Sequence, residues 1–285
     1  MRDLRTIRIF ISVLFFAAAV GYLFIGSGVT SPAAIAKETQ IVPSALVMTM
    51  GAAGFWLVAT FVLGRVYCST VCQVGTLQDS ATWLRRRLMR LQMRRRRAGR
   101  MARKPMLRPY SYRIAGRWRG LVLLAYVVCL LLGLIALATL IEPWNMMRSA
   151  ARFTNSEANA SWLIFAGESL IGAVVGDLML AIVWIWALLR GRAFCTEVCP
   201  IGTVLGTVSR FSLYQIEIDP DRCTNCMRCE EVCKTSGIKV AERFVDNERC
   251  VRCFDCLKVC SDDAIRLQRN RNQRVNPLMK PTVKS

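Results

Sequence analysis

Two runs of four cysteines stand near the C-terminal end of the chain: Cys223, Cys226, Cys229 and Cys233, then Cys250, Cys253, Cys256 and Cys260. Both have C-x2-C-x2-C-x3-C spacing. A cubane cluster offers four iron corners, each taking one thiolate. Three cysteines on a tight loop can wrap three corners, while the fourth corner faces away and takes a sulfur from elsewhere. In the two-cluster arrangement with this spacing, the fourth cysteine of each run ligates the other cluster. One [4Fe–4S] cluster is therefore expected on Cys223, Cys226, Cys229 and Cys260, and a second on Cys250, Cys253, Cys256 and Cys233. The same offset aligns Ile218 with Val245, Asp219 with Asp246, Arg222 with Arg249, Val232 with Val259 and Ile238 with Ile265. Zinc also binds C-x2-C pairs, but it takes two cysteines from each knuckle and leaves the duplicated third and fourth without a role. A disulfide scaffold is disfavoured, because cysteines at every third position rarely meet disulfide geometry with one another.

Four more cysteines form a second repeat. Gly64 to Thr76 reads GRVYCSTVCQVGT, and Gly191 to Thr203 reads GRAFCTEVCPIGT. Gly64/Gly191, Arg65/Arg192, Cys68/Cys195, Val71/Val198, Cys72/Cys199, Gly75/Gly202 and Thr76/Thr203 match at one offset, and Tyr67 and Phe194 are both aromatic. Helical i, i+4 spacing would put both thiols of a pair on one face. Two pairs brought together by pseudo-symmetry would make a four-sulfur site from Cys68, Cys72, Cys195 and Cys199. A third iron–sulfur centre or a redox-active dithiol fits that geometry; small buried packing cysteines are the alternative.

The chain of 285 residues contains no histidine, which removes His-ligated haem, Rieske centres, His-bearing zinc sites and His acid–base catalysis. It is 54% hydrophobic yet carries a net charge of +20. Those two properties segregate along the chain. Apolar runs lie at Ile9 to Ile25, Ala45 to Leu63, Gly120 to Ile141 and Leu170 to Leu189, the last interrupted by Asp177. Each has roughly the 17–25 residues that cross a hydrocarbon core of about 30 Å. Between the second and third runs, Arg85 to Arg119 carries fifteen Lys or Arg and no acid. The connection from Glu142 to Glu168 holds Arg148 and Arg152 as its basic residues. By the positive-inside rule, the N-terminus, the basic loop and the C-terminal domain face the cytoplasm. Charge at Arg94 to Arg97 is then expected to serve topology and anionic lipid headgroups rather than nucleic acid. The first run has a basic start, and Ala34-Ile35-Ala36 mimics a cleavage site, but its apolar stretch exceeds a usual signal-peptide core, so a retained helix is expected.

The fold expected is an α-helical membrane bundle of four transmembrane helices in two helix-hairpin repeats, followed by an α+β ferredoxin domain of the bacterial two-cluster type. The membrane domain would span 1–212, with a basic cytoplasmic loop at about 80–119. The ferredoxin domain would span 213–270 and a basic tail 271–285. Short β segments at Gln215–Ile218 and Ala264–Leu267 are expected around the cysteine runs. Asp177 is a candidate proton site, since an intramembrane carboxylate is functional by default. Cys129 reads as a packing residue, and Trp56, Trp144, Trp184 and Trp186 as anchors or packing.

With these motifs in view, the chain resembles the NapH/MauN family of membrane ferredoxin-type proteins, found with periplasmic nitrate reductase and methylamine-utilisation systems. The resemblance extends over nearly the whole chain: the spans, the two C-x-x-x-C motifs and the eight-cysteine domain. It departs where Gln73, not Pro, follows Cys72, and where Lys234 and Ser261 follow the fourth cysteines at which ferredoxins usually carry Pro. The resemblance implies a multi-pass protein of the bacterial inner membrane. Such a protein would pass electrons between the quinone pool and partner oxidoreductase subunits, most readily those of methylamine utilisation. A maturation factor supplying electrons for a partner's assembly, and a scaffold with structural clusters, are the alternatives. No nucleophile–base pair, phosphate loop or dinucleotide fingerprint marks a stand-alone catalytic centre.

Overall fold

A computed structural model describes residues 3–25, 50–97, 108–114, 116, 118–134, 141–147 and 170–269. Expectations for Ala34–Ala36, Arg148, Arg152, Glu168 and the tail 271–285 lie outside them.

Three of the apolar runs become helices close to their expected bounds. Helix α1 is Asp3–Ile25 and α2 is Met50–Leu63. The third run behaves differently. Its helix α3, Trp118–Leu131, ends in a turn in which Gly133 takes the left-handed conformation (φ 72°). The Leu134 amide donates to the Cys129 carbonyl at 2.8 Å, and the Gly133 amide to the Leu130 carbonyl at 3.2 Å. This paired closure is the glycine-dependent helix stop. Helices α2 and α3 each have fourteen residues, about 21 Å at 1.5 Å each, and residues 45–49 and 135–140 of their runs lie outside the described residues. The segment 141–147, expected to begin the connection on the far side, is instead buried: Glu142, Trp144, Met146 and Met147 are all 8% exposed or less. Among the described residues, Asp3–Gly21 is the helix long and apolar enough to cross a membrane by the strict criteria of length and composition.

The two C-x-x-x-C motifs begin alike. Helix α2 closes on Gly64 (φ 84°), whose amide donates to the Thr60 carbonyl. Helix α4, Leu170–Arg190, closes on Gly191 (φ 74°), whose amide donates to the Ala187 carbonyl. The first motif then forms a short helix, Tyr67–Thr70, and leads into α5, Gln73–Arg97. The second forms a π-helical turn, Phe194–Val198, and leads into α6, Pro200–Ser209.

The first part of the basic connection expected at about 80–119 is helical, within α5. The basic composition hides a periodic inner face: Gln78, Ala81, Thr82 and Arg85 are buried, each 5% exposed or less. That face packs along α4. Arg85 donates to the carbonyls of Leu188 and Leu189 at the end of α4, and to the carbonyl of Arg108 at 2.5 Å. The arginine so caps the negative end of a helix dipole.

The C-terminal part is a small α+β domain. Strand β1, Tyr214–Ile218, pairs antiparallel with β4, Ile265–Arg269. Strand β2, Ile238–Lys239, pairs with β3, Phe244–Val245. The cysteine loops lead into two one-turn helices, Arg228–Val232 and Asp255–Val259. The repeat seen in sequence recurs in the backbone. Asn225 and Arg252 (φ 54° and 52°), Met227 and Phe254 (62° and 59°), and Ser236 and Asp263 (53° and 47°) are three equivalent pairs in the left-handed region. None is glycine, so each position costs about 1–2 kcal/mol that the surrounding structure must offset.

Candidate iron–sulfur centres

The left-handed residues between the cysteines turn each C-x2-C-x2-C loop back on itself, which gathers its sulfurs on one side. One cavity is lined by Cys233, Cys250, Cys253 and Cys256, together with Ile216, Ile238, Val245, Val251 and Phe254. Cys233 comes from the first run and the other three from the second, so the fold brings together the crossed set that the spacing implies. Gly237 donates its amide to the Cys233 sulfur at 3.4 Å. In the other set, Cys229 is buried, Cys223 and Cys260 are half-buried and Cys226 is exposed. Thr224 donates to Asp262 at 2.8 Å, which holds the Cys223 loop against the segment carrying Cys260. Each set has one buried cysteine, and they differ at Cys226, which is exposed, whereas Cys233, Cys250 and Cys253 are half-buried around the cavity. Burial pushes the Cys229 thiol up to about 12 and the Cys253 thiol to about 11.

At the other repeat, Cys68, Cys72, Cys195 and Cys199 are each 5% exposed or less and share one apolar core. Val251 belongs to that core and Cys253 packs against it. The enclosed ferredoxin cysteines therefore adjoin the four membrane-repeat cysteines. The second cysteine of each pair plays the same local part. Cys199 is the N-cap of α6, and its sulfur accepts the Gly202 amide at 3.4 Å. The Cys72 sulfur accepts from Gly75 at the start of α5. Burial raises the thiols of Cys72 and Cys199, and raises Cys195 to about 11 against the pull of Arg192.

All thirteen cysteines are free of disulfides. Among the described residues, no three of Cys, Asp and Glu gather tightly enough for a single metal ion. A cubane carries its thiolates on four separate irons and so holds them farther apart than one ion does. Each ferredoxin cysteine set supplies the four thiols that such a group takes.

A charged seam joins the two sets. Asp79 accepts from Arg8 at 3.0 Å, Arg192 at 2.9 Å and Lys234 at 2.9 Å. Asp255 accepts from Arg5 at 2.5 Å, Arg86 at 3.0 Å and Lys234 at 3.1 Å. Burial pushes the Asp79 carboxyl up, but Arg192, Lys234 and Arg8 together hold it well below the usual carboxylate range. Asp255 is held at about 2; Lys234, Arg86 and Arg5 overcome the effect of burial. The Lys234 carbonyl also accepts the Arg192 amide at 2.9 Å. This accounts for the departure at Lys234: a proline there could not reach two carboxylates. On the opposite side, Arg252 is fully buried and donates to the Leu63 carbonyl at 2.9 Å, Ser212 at 3.0 Å and the Tyr214 carbonyl at 2.9 Å. Residues of the basic segment also strap the small domain: Arg119 pairs with Glu248, Arg249 donates to the Arg113 carbonyl at 2.5 Å, and the Tyr110 amide donates to the Glu231 carbonyl at 3.3 Å.

Sequence reasoning missed Asp79, Lys234, Asp255 and the two buried arginines as a set. One signal was available for Asp79, the sole Asp or Glu between Cys72 and Arg119. Asp177 is half-buried on α4. Glu142, assigned by sequence to a connection, is the more deeply buried carboxylate, at 5% exposed. The tryptophans take packing roles: Trp56 meets Tyr67 edge to face at 5.2 Å, Trp144 is buried, Trp184 donates to Ser80 at 3.2 Å, and Trp186 packs on the cysteine core. Cys129 is half-buried on α3.

Comparison with known proteins agrees with this geometry. A family profile described as a 4Fe-4S binding domain matches residues 45–92 and 171–214, one stretch for each C-x-x-x-C repeat. A second profile of the same description matches residues 215–238. The chain is 29% identical over 192 residues to the methylamine utilization ferredoxin-type protein MauN of Paracoccus denitrificans, covering 67% of this chain and 56% of that one. It is 28% identical over 194 residues to the ferredoxin-type protein NapH of Haemophilus influenzae, covering 67% and 54%. An uncharacterised protein of Methanocaldococcus jannaschii is 25% identical over 187 residues, covering 66% and 58%. The match thus spans little more than half the length of these relatives. No solved structure matches the chain.

Proposed function

We propose a route for electrons in this protein, on the premise that the chain is a ferredoxin-type iron–sulfur electron-transfer protein, similar to MauN and NapH, that carries [4Fe–4S] clusters. The chain passes electrons between the quinone pool and a partner oxidoreductase, with methylamine utilisation and periplasmic nitrate reduction as the two candidate systems. A [4Fe–4S] cluster supplies reversible one-electron transfer when bound. Cys223, Cys226, Cys229 and Cys260 hold one cluster, and Cys250, Cys253, Cys256 and Cys233 hold the other. The observation that carries this reading is the cavity where Cys233 meets Cys250, Cys253 and Cys256, placed against the buried core at the ends of the apolar helices.

The residues divide the work by exposure. Cys226 and its neighbours Thr224 and Asn225 are exposed and form the face on which a soluble partner can dock. Ile216, Ile238, Val245 and Val251 keep water from the enclosed set, and a dry surround of this kind tunes reduction potential. Lys234, Arg252 and Asp79 fix the small domain on the helices, so that transfer needs no diffusive docking step. The chain is read as multi-pass in the bacterial inner membrane, in contact with lipid, with both termini in the cytoplasm. The basic face of α5 beyond the docked arginines suits anionic headgroups. Asp177, on the apolar helix α4, is the proposed acceptor of a quinol proton.

Anaerobic titration of the purified, detergent-solubilised protein with a menaquinol analogue tests the reading. Reduction of the clusters, followed by EPR, is the expected result. Clusters that a strong chemical reductant reduces and quinol does not would overturn it.

A further inference from the structure

We infer that Gln78 is a hydrogen-bond donor to the sulfurs of the centre on the two C-x-x-x-C motifs and raises its reduction potential, giving that centre a polar side on α5 and an apolar side on α6. The inference deepens the electron-transfer reading. It takes as its premise that the two stretches matched by the 4Fe-4S profile hold a cluster on Cys68, Cys72, Cys195 and Cys199.

The residues present fit such a group. The four thiols are free of disulfides and lie in one buried core. A cluster held by four thiolates is anionic, and a buried anion needs cations and aligned amides. Arg65 is fully buried, with a guanidinium nitrogen 3.9 Å from the Cys68 sulfur. Gly75 and Gly202 aim backbone amides at Cys72 and Cys199. Those groups also clasp the two loops or start a helix, so their removal would disturb the fold.

Gln78 is different. It lies on the inner face of α5 and is fully buried. Its carbonyl oxygen accepts from the Cys195 sulfur at 3.4 Å, and its amide nitrogen has no protein partner. An unsatisfied buried amide costs about 1–3 kcal/mol. A Cys195 that ligates iron has lost its thiol hydrogen and can only accept. The two ends of a carboxamide exchange by a half-turn of the last side-chain torsion, so the same side chain can then offer its N–H to sulfur. That exchange gives the orphaned donor its acceptor. A hydrogen bond to a cluster sulfur favours the reduced form, which carries the extra negative charge, and so raises the potential.

The repeat shows that packing does not demand an amide here. At the offset that aligns Cys68 with Cys195, Gln78 falls on Leu205, which is 1% exposed and part of the cysteine core. Gln73 likewise falls on Pro200, the first residue of α6. Gln73 is also buried, with both amide atoms unpartnered. Apolar side chains fill both positions in the second motif and amides fill both in the first. The polar atoms therefore gather on the α5 side alone.

The test is potentiometric EPR on full-length protein, reconstituted anaerobically with iron and sulfide in detergent. The variant is Gln78→Leu, the residue that the second motif itself carries and one of similar size. At a fixed ambient potential, the ratio of reduced to oxidised C-x-x-x-C centre is expected to fall about tenfold, a downward shift of about 59 mV for a one-electron couple. Iron should stay at about twelve per chain, against about eight for the ferredoxin cysteines alone, and the ferredoxin midpoints should not move. An unmoved midpoint overturns the inference. So does selective loss of about four irons, which would make Gln78 a part of the site's framework, or an equal shift of all the centres. In the wild type, pulsed EPR should detect hyperfine coupling between the reduced centre and isotope-labelled glutamine side-chain nitrogen; its absence overturns the inference whether or not the variant folds. Wild-type protein saturating at about eight irons overturns the premise and the inference together. None of these outcomes depends on the quinol titration, which can fail with the centre present and tuned.

Discussion

Arg65 and Arg192 reach across to one another's repeat: the Arg65 guanidinium donates to the Cys195 carbonyl and the Arg192 guanidinium to the Cys68 carbonyl, each at 2.7 Å. Each arginine holds the first cysteine of the opposite motif. The two C-x-x-x-C loops are thus clasped by a pair of equivalent side chains, although the elements that follow differ. Arg192 goes on to Gly75 and Asp79, and Arg65 to the carbonyl of Glu248 in the small domain.

Replacing Arg192 with Leu removes hydrogen bonds to Cys68, Gly75 and Asp79 at once. Breaking a buried charge pair from one side costs about 3–5 kcal/mol. Arg192→Lys is expected to recover little of that, because an ammonium lacks the planar fork that serves three acceptors. Thermal unfolding in detergent, or yield of folded protein, reads the difference; parity between Lys and Arg would contradict the clasp.

Lys234→Met removes the cation shared by Asp79 and Asp255 but leaves each carboxylate two arginines. The loss is expected to be smaller, about 1–3 kcal/mol. It should concentrate at the junction: hydrogen exchange should quicken in the segment around Lys234 and at the start of α5, with iron content on the eight ferredoxin cysteines unchanged. Uniform loss of protection across the chain would argue for a general folding role instead.

The seam has a pH signature. Asp79 has a folded pKa held below its unfolded value, which is about 3.9. A depressed carboxyl contributes stability that is present above the unfolded pKa and is lost as pH falls through the folded one. Acidification from about pH 4 downward should therefore loosen the junction, whereas the range from pH 5 to 8 should leave it unchanged. Cluster-free protein is the sample to use, and Asp79→Asn should flatten the acid limb of its unfolding midpoint.

Gly75→Ala and Gly202→Ala should have matching effects, since each new Cβ meets the carbonyl of the first cysteine in its own motif. Overpacking of this kind costs about 1–3 kcal/mol. Comparing the midpoints of the two variants checks the pseudo-symmetry directly. A large effect at one site and none at the other would break it.

Asp177→Asn keeps the shape of α4 and removes a proton acceptor. If Asp177 takes the quinol proton, quinol-dependent reduction should slow by about 100-fold or more, with iron content intact. Glu142→Gln is the companion variant, because Glu142 is the more buried carboxylate. A normal rate for Asp177→Asn with a slow one for Glu142→Gln would move the assignment.

The sequence by itself determined the cysteine chemistry and both repeats. Thiolate spacing is a local property, and duplication leaves identical offsets, so the crossed ferredoxin set and the paired C-x-x-x-C motifs could be read without coordinates. It also marked Gly64 and Gly191, whose helix-ending role depends on backbone freedom alone. Only the tertiary structure decided where those sites stand relative to each other. Arg65, Asp79, Arg192, Lys234 and Asp255 come from distant segments, and burial of a charge is invisible until its partners are known. Hydropathy counts apolar residues in 120–147 but does not register the Gly133 turn that ends α3, or the packing that takes Glu142 and Met146 inside. The eight cysteines were legible because their chemistry is written in neighbours along the chain; the seam that joins them to the other four is written in contacts across it.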